Sequence, residues 1–295
     1  MSIFEEEILM LIQCTPRAGA QWPDFDTISE KDSHALAAAF QRASPFPHLV
    51  MDHLFPSPML QAMAKEFDTA APSDWREYHS GLQRKRGTPP GGHLPPTVQD
   101  YFNVVYSGPF VRLLSRITGI DDLIPDPALY GGGMHEVDAG GSFEIHMDFA
   151  THPRTRLVNR LALITYFNET WTSEDGGALE LWELEPPRCA ATVVPHFGRT
   201  VIMEQSARAA HGHPQPIREG RQRRSTVAYF YTNGLAARDA NDTLATTYVP
   251  HAGYSRRQKA ELYLRRFAPP MIVKGLKAIN KAARTRHTRG RGSKL

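Results

Sequence analysis

The stretch GGSFEIHMDF, residues 140–149, decides how the middle of the chain is read. Two glycines mark a turn, and the residues after them read as a strand over 142–149. In a strand, residues i and i+2 face the same way, so His146 and Asp148 project together. The same kind of text continues on both sides. Short runs rich in Val, Ile, Thr and aromatic residues predict further strands over 160–168, 178–184, 190–195, 199–205, 208–213 and 223–232. Turn residues separate them: Gly131 to Gly133, Asp175 with Gly176 and Gly177, Pro186 with Pro187, and Phe197 with Gly198. Many short strands punctuated in this way argue for a sandwich, jelly roll or barrel.

Upstream the signals differ. A helix is expected over 33–42, a strand over 45–55 behind Pro45, and a helix over 57–67 capped by Ser57. One long helix is expected over 97–118, burying Tyr101, Val105, Phe110, Leu113, Leu114 and Ile117. Between them, residues 80–96 are rich in Gly, Pro and basic side chains and are expected to form a mobile, lid-like loop. Downstream, 253–267 and 270–284 read as helices split by Pro269 and Pro270, with a disordered basic end over 285–295.

Charge divides the chain unevenly. It has 295 residues with 34 Lys+Arg and 31 Asp+Glu, a formal net charge of +3. From residue 256 onward there are 13 basic residues and one acidic residue, Glu261. Residues 1–255 therefore hold 21 basic and 30 acidic residues, which predicts an acidic body with a basic appendage. Charged residues are 22% and hydrophobic residues 41%, which excludes wholesale disorder. Two cysteines, Cys14 and Cys189, exclude a disulfide framework and a Cys-rich zinc site. No apolar run nears the roughly 18 residues of a transmembrane helix. Glu5, Glu6 and Glu7 stand where a secretory signal needs positive charge, so a cytoplasmic location is expected.

His146 and Asp148 acquire chemical meaning from residues further along the chain. His211 lies 63 residues after Asp148, on another predicted strand, and Arg223 and Ser225 share a face one strand later. Two imidazoles and one carboxylate on one face of a metal favour ferrous iron and leave positions open for a chelating cosubstrate and dioxygen. A guanidinium beside a hydroxyl matches the far carboxylate of a dicarboxylic cosubstrate.

These segments, with RLALITYFNETWTSEDGGALELWE (160–183), VVPHFGRTVIMEQSARAAHGHPQPI (193–217) and RRSTVAYFYTN (223–233), resemble the Fe(II)- and 2-oxoglutarate-dependent dioxygenases, on the prolyl 4-hydroxylase-like side of that superfamily. The resemblance covers about 100 residues. It implies a mainly β fold with flanking helices: a double-stranded β-helix (jelly roll, cupin-like) core with an N-terminal helical layer and C-terminal helices. The domains so expected are a supporting region over 1–125, a catalytic core over 126–235 and a basic helical extension over 236–295. The implied cofactors are Fe(II) on His146, Asp148 and His211, 2-oxoglutarate with its far carboxylate on Arg223 and Ser225, and dioxygen, with ascorbate as an accessory reductant. The implied reaction converts 2-oxoglutarate to succinate and CO2 while hydroxylating an unactivated C–H. The substrate is a proline-like peptidyl residue, a free amino acid or a natural product.

Three assignments stay open on sequence. His211 and His213 have the same parity, and the motif match favours His211. Arg224 follows Arg223, and parity with Ser225 favours Arg223. For a further side chain on 2-oxoglutarate, His135 and Tyr130 both qualify. Tyr166, Trp171, Trp182 and Phe230 are expected to pack as core or pocket wall. Two rival readings are a non-catalytic jelly-roll binding module and a nucleic-acid-directed oxygenase using the basic tail. The acidic body argues against nucleic acid as a partner. Oligomeric state is not set by the sequence.

Overall fold

A computed structural model describes residues 13–17, 20–25, 28–234 and 246–267. Strands β1 (Gln13–Arg17) and β2 (Ala20–Asp24) pair as an antiparallel hairpin. Helix α1 (Glu30–Arg42) begins where the Ser29 hydroxyl accepts from the backbone N–H of Asp32, and it buries Leu36 and Phe40. Strand β3 (His48–Met51) leads to helix α2 (Ser57–Thr69). Ser57 is its first residue rather than its cap: Pro56 holds the cap position and gives no side-chain hydrogen bond.

Part of the segment expected to be a mobile loop is instead strand: β5 (Arg84–Gly87) pairs with β4 (Arg76–His79) as a hairpin, while residues 88–95 hold no helix or strand. The long helix expected over 97–118 is two, α3 (Pro96–Val105) and α4 (Gly108–Thr118). Pro109 explains the break, because it has no N–H to donate and its ring clashes with a preceding helical turn, whereas at the start of α4 it is tolerated. Gly119, at φ 70°, ends α4 in a left-handed cap.

The remaining strands are β6 (Ile124–Pro125), β7 (Gly133–Asp138), β8 (Phe143–Met147), β9 (Val158–Tyr166), β10 (Leu179–Leu184), β11 (Pro187–Val193), β12 (Thr200–Glu204), β13 (Ala210–His213), β14 (Gln222–Thr232) and β15 (Thr247–Tyr248). They form two antiparallel sheets of a jelly roll. The larger runs β3-β12-β9-β14-β7-β5-β4, with β6 beside β14; the smaller runs β11-β10-β13-β8-β15. Strands from before residue 125 thus complete the large sheet at both edges.

Period-2 geometry explains the layers. On β9, Leu161 and Leu163 join Ala228 and Phe230 of β14 in a core packed on the helices. The alternate residues, Ala162, Ile164 and Tyr166 with Val227 and Tyr229, pack toward Leu179 and Leu181 of the small sheet. A sheet buried on both faces needs nearly continuous apolar strands, and LALIT and VAYFY have that form. Burial of each large side chain contributes roughly 1.5–3 kcal/mol. A buried hydroxyl chain, Tyr101 Oη to Thr165 Oγ1 at 2.8 Å and on to Thr200 Oγ1 at 3.0 Å, ties α3 to the sheet.

The chain divides into two compact units, Met1–Val249 and Pro250–Leu295. In the second, helix α5 (Arg256–Phe267) is described, with Tyr263 and Leu264 exposed. The expected helix 270–284 and basic end 285–295 lie outside the described residues. No described helix is long and apolar enough to cross a membrane.

Candidate active site

Strand pairing brings the sequence-distant histidines together. His146 on β8 and His211 on β13 are directly opposed partners in the small sheet. Asp148 follows the end of β8. Its Oδ1 lies 3.5 Å from His146 Nε2 and its Oδ2 lies 3.6 Å from His211 Nε2. One ligand atom from each of the three falls within 4.8 Å of the others, and among the described residues no other His, Cys, Asp or Glu joins such a group.

Local hydrogen bonds aim these rings. His146 Nδ1 is 2.7 Å from the Glu144 carbonyl, and His211 Nδ1 is 2.9 Å from the Ala209 carbonyl. A carbonyl only accepts, so each Nδ1 carries the proton and each Nε2 presents a lone pair to the cluster. Burial, then the neighbouring His146, pulls His211 down to about 4, which keeps it neutral. Burial pushes the Asp148 carboxyl up, but the closeness of His146 and His211 and the hydrogen bond from the Tyr229 hydroxyl outweigh it and the net shift is downward. The Tyr229 hydroxyl donates to Asp148 Oδ2 at 2.8 Å, fixing the carboxylate. Two Nε2 lone pairs and one carboxylate oxygen fit a single divalent ion.

His213 stays outside this cluster. A register shift between His211 and His213 breaks the parity the sequence implied and pairs His213 with Phe143. It is buried near Arg223 and Lys85, and burial holds it well below its usual range.

The paired arginines separate cleanly. Arg224 points away from the cluster, with Nε 2.8 Å from Glu136 Oε2 and Nη2 2.6 Å from Asp68 Oδ1. Arg223 points between the sheets and is buried. Its Nε donates to the Gly177 carbonyl at 2.7 Å and its Nη2 to the Tyr166 hydroxyl at 3.3 Å, with the guanidinium over the Tyr166 ring. Gly177 has φ 64°, and a Cβ there would lie 2.8 Å from Arg223 Cδ and 2.3 Å from Ile217 Cδ1, so a side chain would collide with the arginine stem. The turn before it is fixed by Trp171 Nε1 donating to the Gly176 carbonyl at 3.0 Å. Ser225 is buried on the same face as Arg223, opposite His135 of β7 and Tyr166 of β9.

His135 and Tyr130 are also separated. Burial, then the charge of Lys85, lowers His135 to about 3, so it is neutral beside Lys85 and Arg223. Tyr130 packs on Phe149 and His152 instead.

Sequence reasoning misses Tyr229 and places two other side chains differently from the structure. Tyr166 is more than pocket wall, since it holds Arg223. Tyr229 shares strand parity with Arg223 and Ser225, a signal present in the sequence. Lys85 falls in the segment expected to be a loop; on β5 it turns inward between Arg84 and Arg86, and burial lowers its ammonium to about 8, with Asp148 opposing that fall.

Residues 132–231 match the family model of the 2OG-Fe(II) oxygenase superfamily. The chain carries a 2OG-Fe(II) oxygenase domain. It is therefore a dioxygenase of the class that uses Fe(II), 2-oxoglutarate and O2. Solved structures share the fold. A Trichoplax adhaerens prolyl hydroxylase, solved with a peptide fragment of the hypoxia inducible factor oxygen degradation domain, is 15% identical; the match covers 68% of this chain and 90% of that one, with a TM-score of 0.51. A 2OG-Fe(II) oxygenase family oxidoreductase from Burkholderia pseudomallei is 12% identical over 68% and 90%, with a TM-score of 0.51. SnoN, a non-heme alpha ketoglutarate dependent epimerase from nogalamycin biosynthesis, is 14% identical over 76% and 98%, also at 0.51. Comparison with curated proteins finds no match.

Proposed function

We propose that this oxygenase domain hydroxylates an unactivated C–H with Fe(II) held by His146, Asp148 and His211 and 2-oxoglutarate anchored by Arg223. The observation that carries this reading is the convergence of two lone-pair Nε2 atoms and one carboxylate, with Arg223 buried on the same strand and at the same parity as Tyr229, which bonds Asp148. When bound, Fe(II) and 2-oxoglutarate would supply the means to activate dioxygen, one oxygen atom going to succinate as CO2 is lost and the other to the C–H. The chain's own residues bind, orient and shield. The Glu144 and Ala209 carbonyls hold the imidazoles in the ligating tautomer. Tyr229 orients the Asp148 carboxylate. Arg223, steadied by Tyr166 and the Gly177 carbonyl, receives the far carboxylate of the cosubstrate, with Ser225 and neutral His135 beside it. Burial of these groups keeps water from competing for the same contacts and strengthens each of them.

The substrate is a proline-like peptidyl residue or a free amino acid or natural product, and the scarcity of cysteine favours a reducing compartment such as the cytoplasm. The domain roles run in chain order: a supporting region over 1–125, a catalytic core over 126–235, and a basic extension over 236–295 that takes no part in catalysis.

Anaerobic titration of the protein with Fe(II) and 2-oxoglutarate tests the assignment. A weak visible charge-transfer band is expected in the wild type and should vanish in His146→Ala. A band that survives the substitution, or never forms, overturns the site. A succinate-release screen of free amino acids, proline-containing peptides and sugars, with Asp148→Ala as the blank, then finds the substrate. Succinate at the blank's level from a chain that shows the band would favour the non-catalytic module.

A further inference from the structure

The hairpin that replaces the expected loop delivers a cation to the site. Residues 82–87 run along both sheets. The Arg84 N–H donates to the Ser142 carbonyl and the Glu144 N–H to the Leu82 carbonyl beside β8, while Arg86 and Gly87 pair with Glu136 and His135 of β7. Alternation along β5 leaves Arg84 exposed, joins Arg86 to Glu136, and turns Lys85 between the two sheets. The Lys85 ammonium lies 4.0 Å from the centre of the Phe143 ring and 5.6 Å from that of Tyr78, its cross-strand partner. Phe143 stacks on His146 with the ring centres 3.7 Å apart, so the ammonium occupies the opposite face of Phe143. Lys85 is thus one aromatic ring away from a candidate iron ligand. Among the described residues its ammonium forms no ion pair, and the charged groups that sense it are Asp148 and Arg223.

Charge balance gives this placement a meaning. In the loaded site the two positive charges of ferrous iron and the one on Arg223 meet three negative charges: Asp148 and the two carboxylates of 2-oxoglutarate. Lys85 is the charge left over. A cation held among aromatic faces in a partly buried site is stabilised by an incoming anion and strongly disfavours another cation. We propose that Lys85 is a specificity-determining residue that recognises a carboxylate on the primary substrate, so that the oxidised molecule is a free acid rather than a residue inside a peptide. This rests on the assignment of iron and 2-oxoglutarate made above and narrows its substrate class.

The test uses full-length protein loaded with Mn(II) and saturating 2-oxoglutarate, and trifluoroacetate as the carboxylate probe. Fluorine NMR should show paramagnetic broadening of trifluoroacetate, but not of neutral trifluoroacetamide. The effect should fall roughly tenfold in Lys85→Met, the scale of one lost charge-assisted contact, and persist in Lys85→Arg. Three results overturn the proposal: equal broadening of acid and amide, unchanged broadening in Lys85→Met, or a larger loss of 2-oxoglutarate affinity than of trifluoroacetate affinity in that variant. The last would assign Lys85 to the cosubstrate. The charge-transfer band separates the two levels of failure: if it is absent the iron assignment fails, and if it is present without probe binding only the role of Lys85 fails.

Discussion

At the scale of single residues, the site is built from side chains whose polar atoms are aimed by the backbone. The two imidazoles are turned by backbone carbonyls two residues upstream in each case. Arg223 is aimed by one carbonyl and one phenol. A buried guanidinium that loses an acceptor bears the cost of an unmet donor, about 1–3 kcal/mol. Tyr166→Phe should therefore raise the 2-oxoglutarate concentration at the midpoint of the charge-transfer titration roughly tenfold. An unmoved midpoint would mean the hydroxyl does not position Arg223. That His146 and Asp148 project together, and that Arg223 shares a face with Ser225, was legible in the sequence because period-2 alternation predicts which residues share a face. Parity could not separate His211 from His213, though the motif match favoured His211; the structure separates them by a register shift between two strands, which neither strand carries alone.

At the scale of elements, the β4–β5 hairpin depends on one buried carboxylate. Glu136 of β7 is fully buried, and it joins Arg86 of β5 to Arg224 of β14. Arg224 also reaches Asp68 at the end of α2. One side chain thus clamps three neighbouring strands, and the strand it clamps toward the edge carries Lys85. Removing one partner from a buried ionic cluster leaves uncompensated charge and typically costs about 3 kcal/mol. Glu136→Gln should lower stability by about that amount, read as an earlier urea midpoint with an unchanged slope; a change under about 0.5 kcal/mol would show that the clamp is dispensable. The hairpin was hidden in the sequence for a physical reason. Its strands are short, and β5 reads Arg-Lys-Arg-Gly, a composition that suggests a solvated loop. Only pairing with Glu136 and a slot between the sheets makes that composition a strand. The split of α3 from α4, by contrast, could have been read from Pro109 alone.

At the scale of the whole molecule, the oxygenase fold encloses imidazoles in their neutral form, and this has a consequence for stability. Burial, with nearby positive charge, lowers His135 to about 3, and burial with His146 beside it lowers His211 to about 4. Both values lie below the ordinary histidine value near 6.5 that the unfolded chain has. The unfolded state then binds protons first, so this stabilisation is complete above about pH 6.5 and is lost as pH falls toward 4 and then 3. Metal-free protein should lose about 1.4 kcal/mol per pH unit for each such histidine over that window. His135→Gln should flatten the curve by one proton, measured by denaturant melts between pH 7 and pH 5; an equal slope in both proteins would place His135 in contact with water. Taken by itself, the sequence determined a β-rich middle of sandwich, jelly-roll or barrel type, the concentration of basic residues after position 255, and the order of His146, Asp148, His211 and Arg223. These are local properties of alternation, composition and motif order. The tertiary structure alone decided the register shift that sets His213 apart from His211, the pairing of Arg224 with Glu136 and Asp68, and the placement of Lys85 against Phe143. Those outcomes depend on strand register and on packing between segments distant in the chain, where no local pattern can set the distance between two side chains.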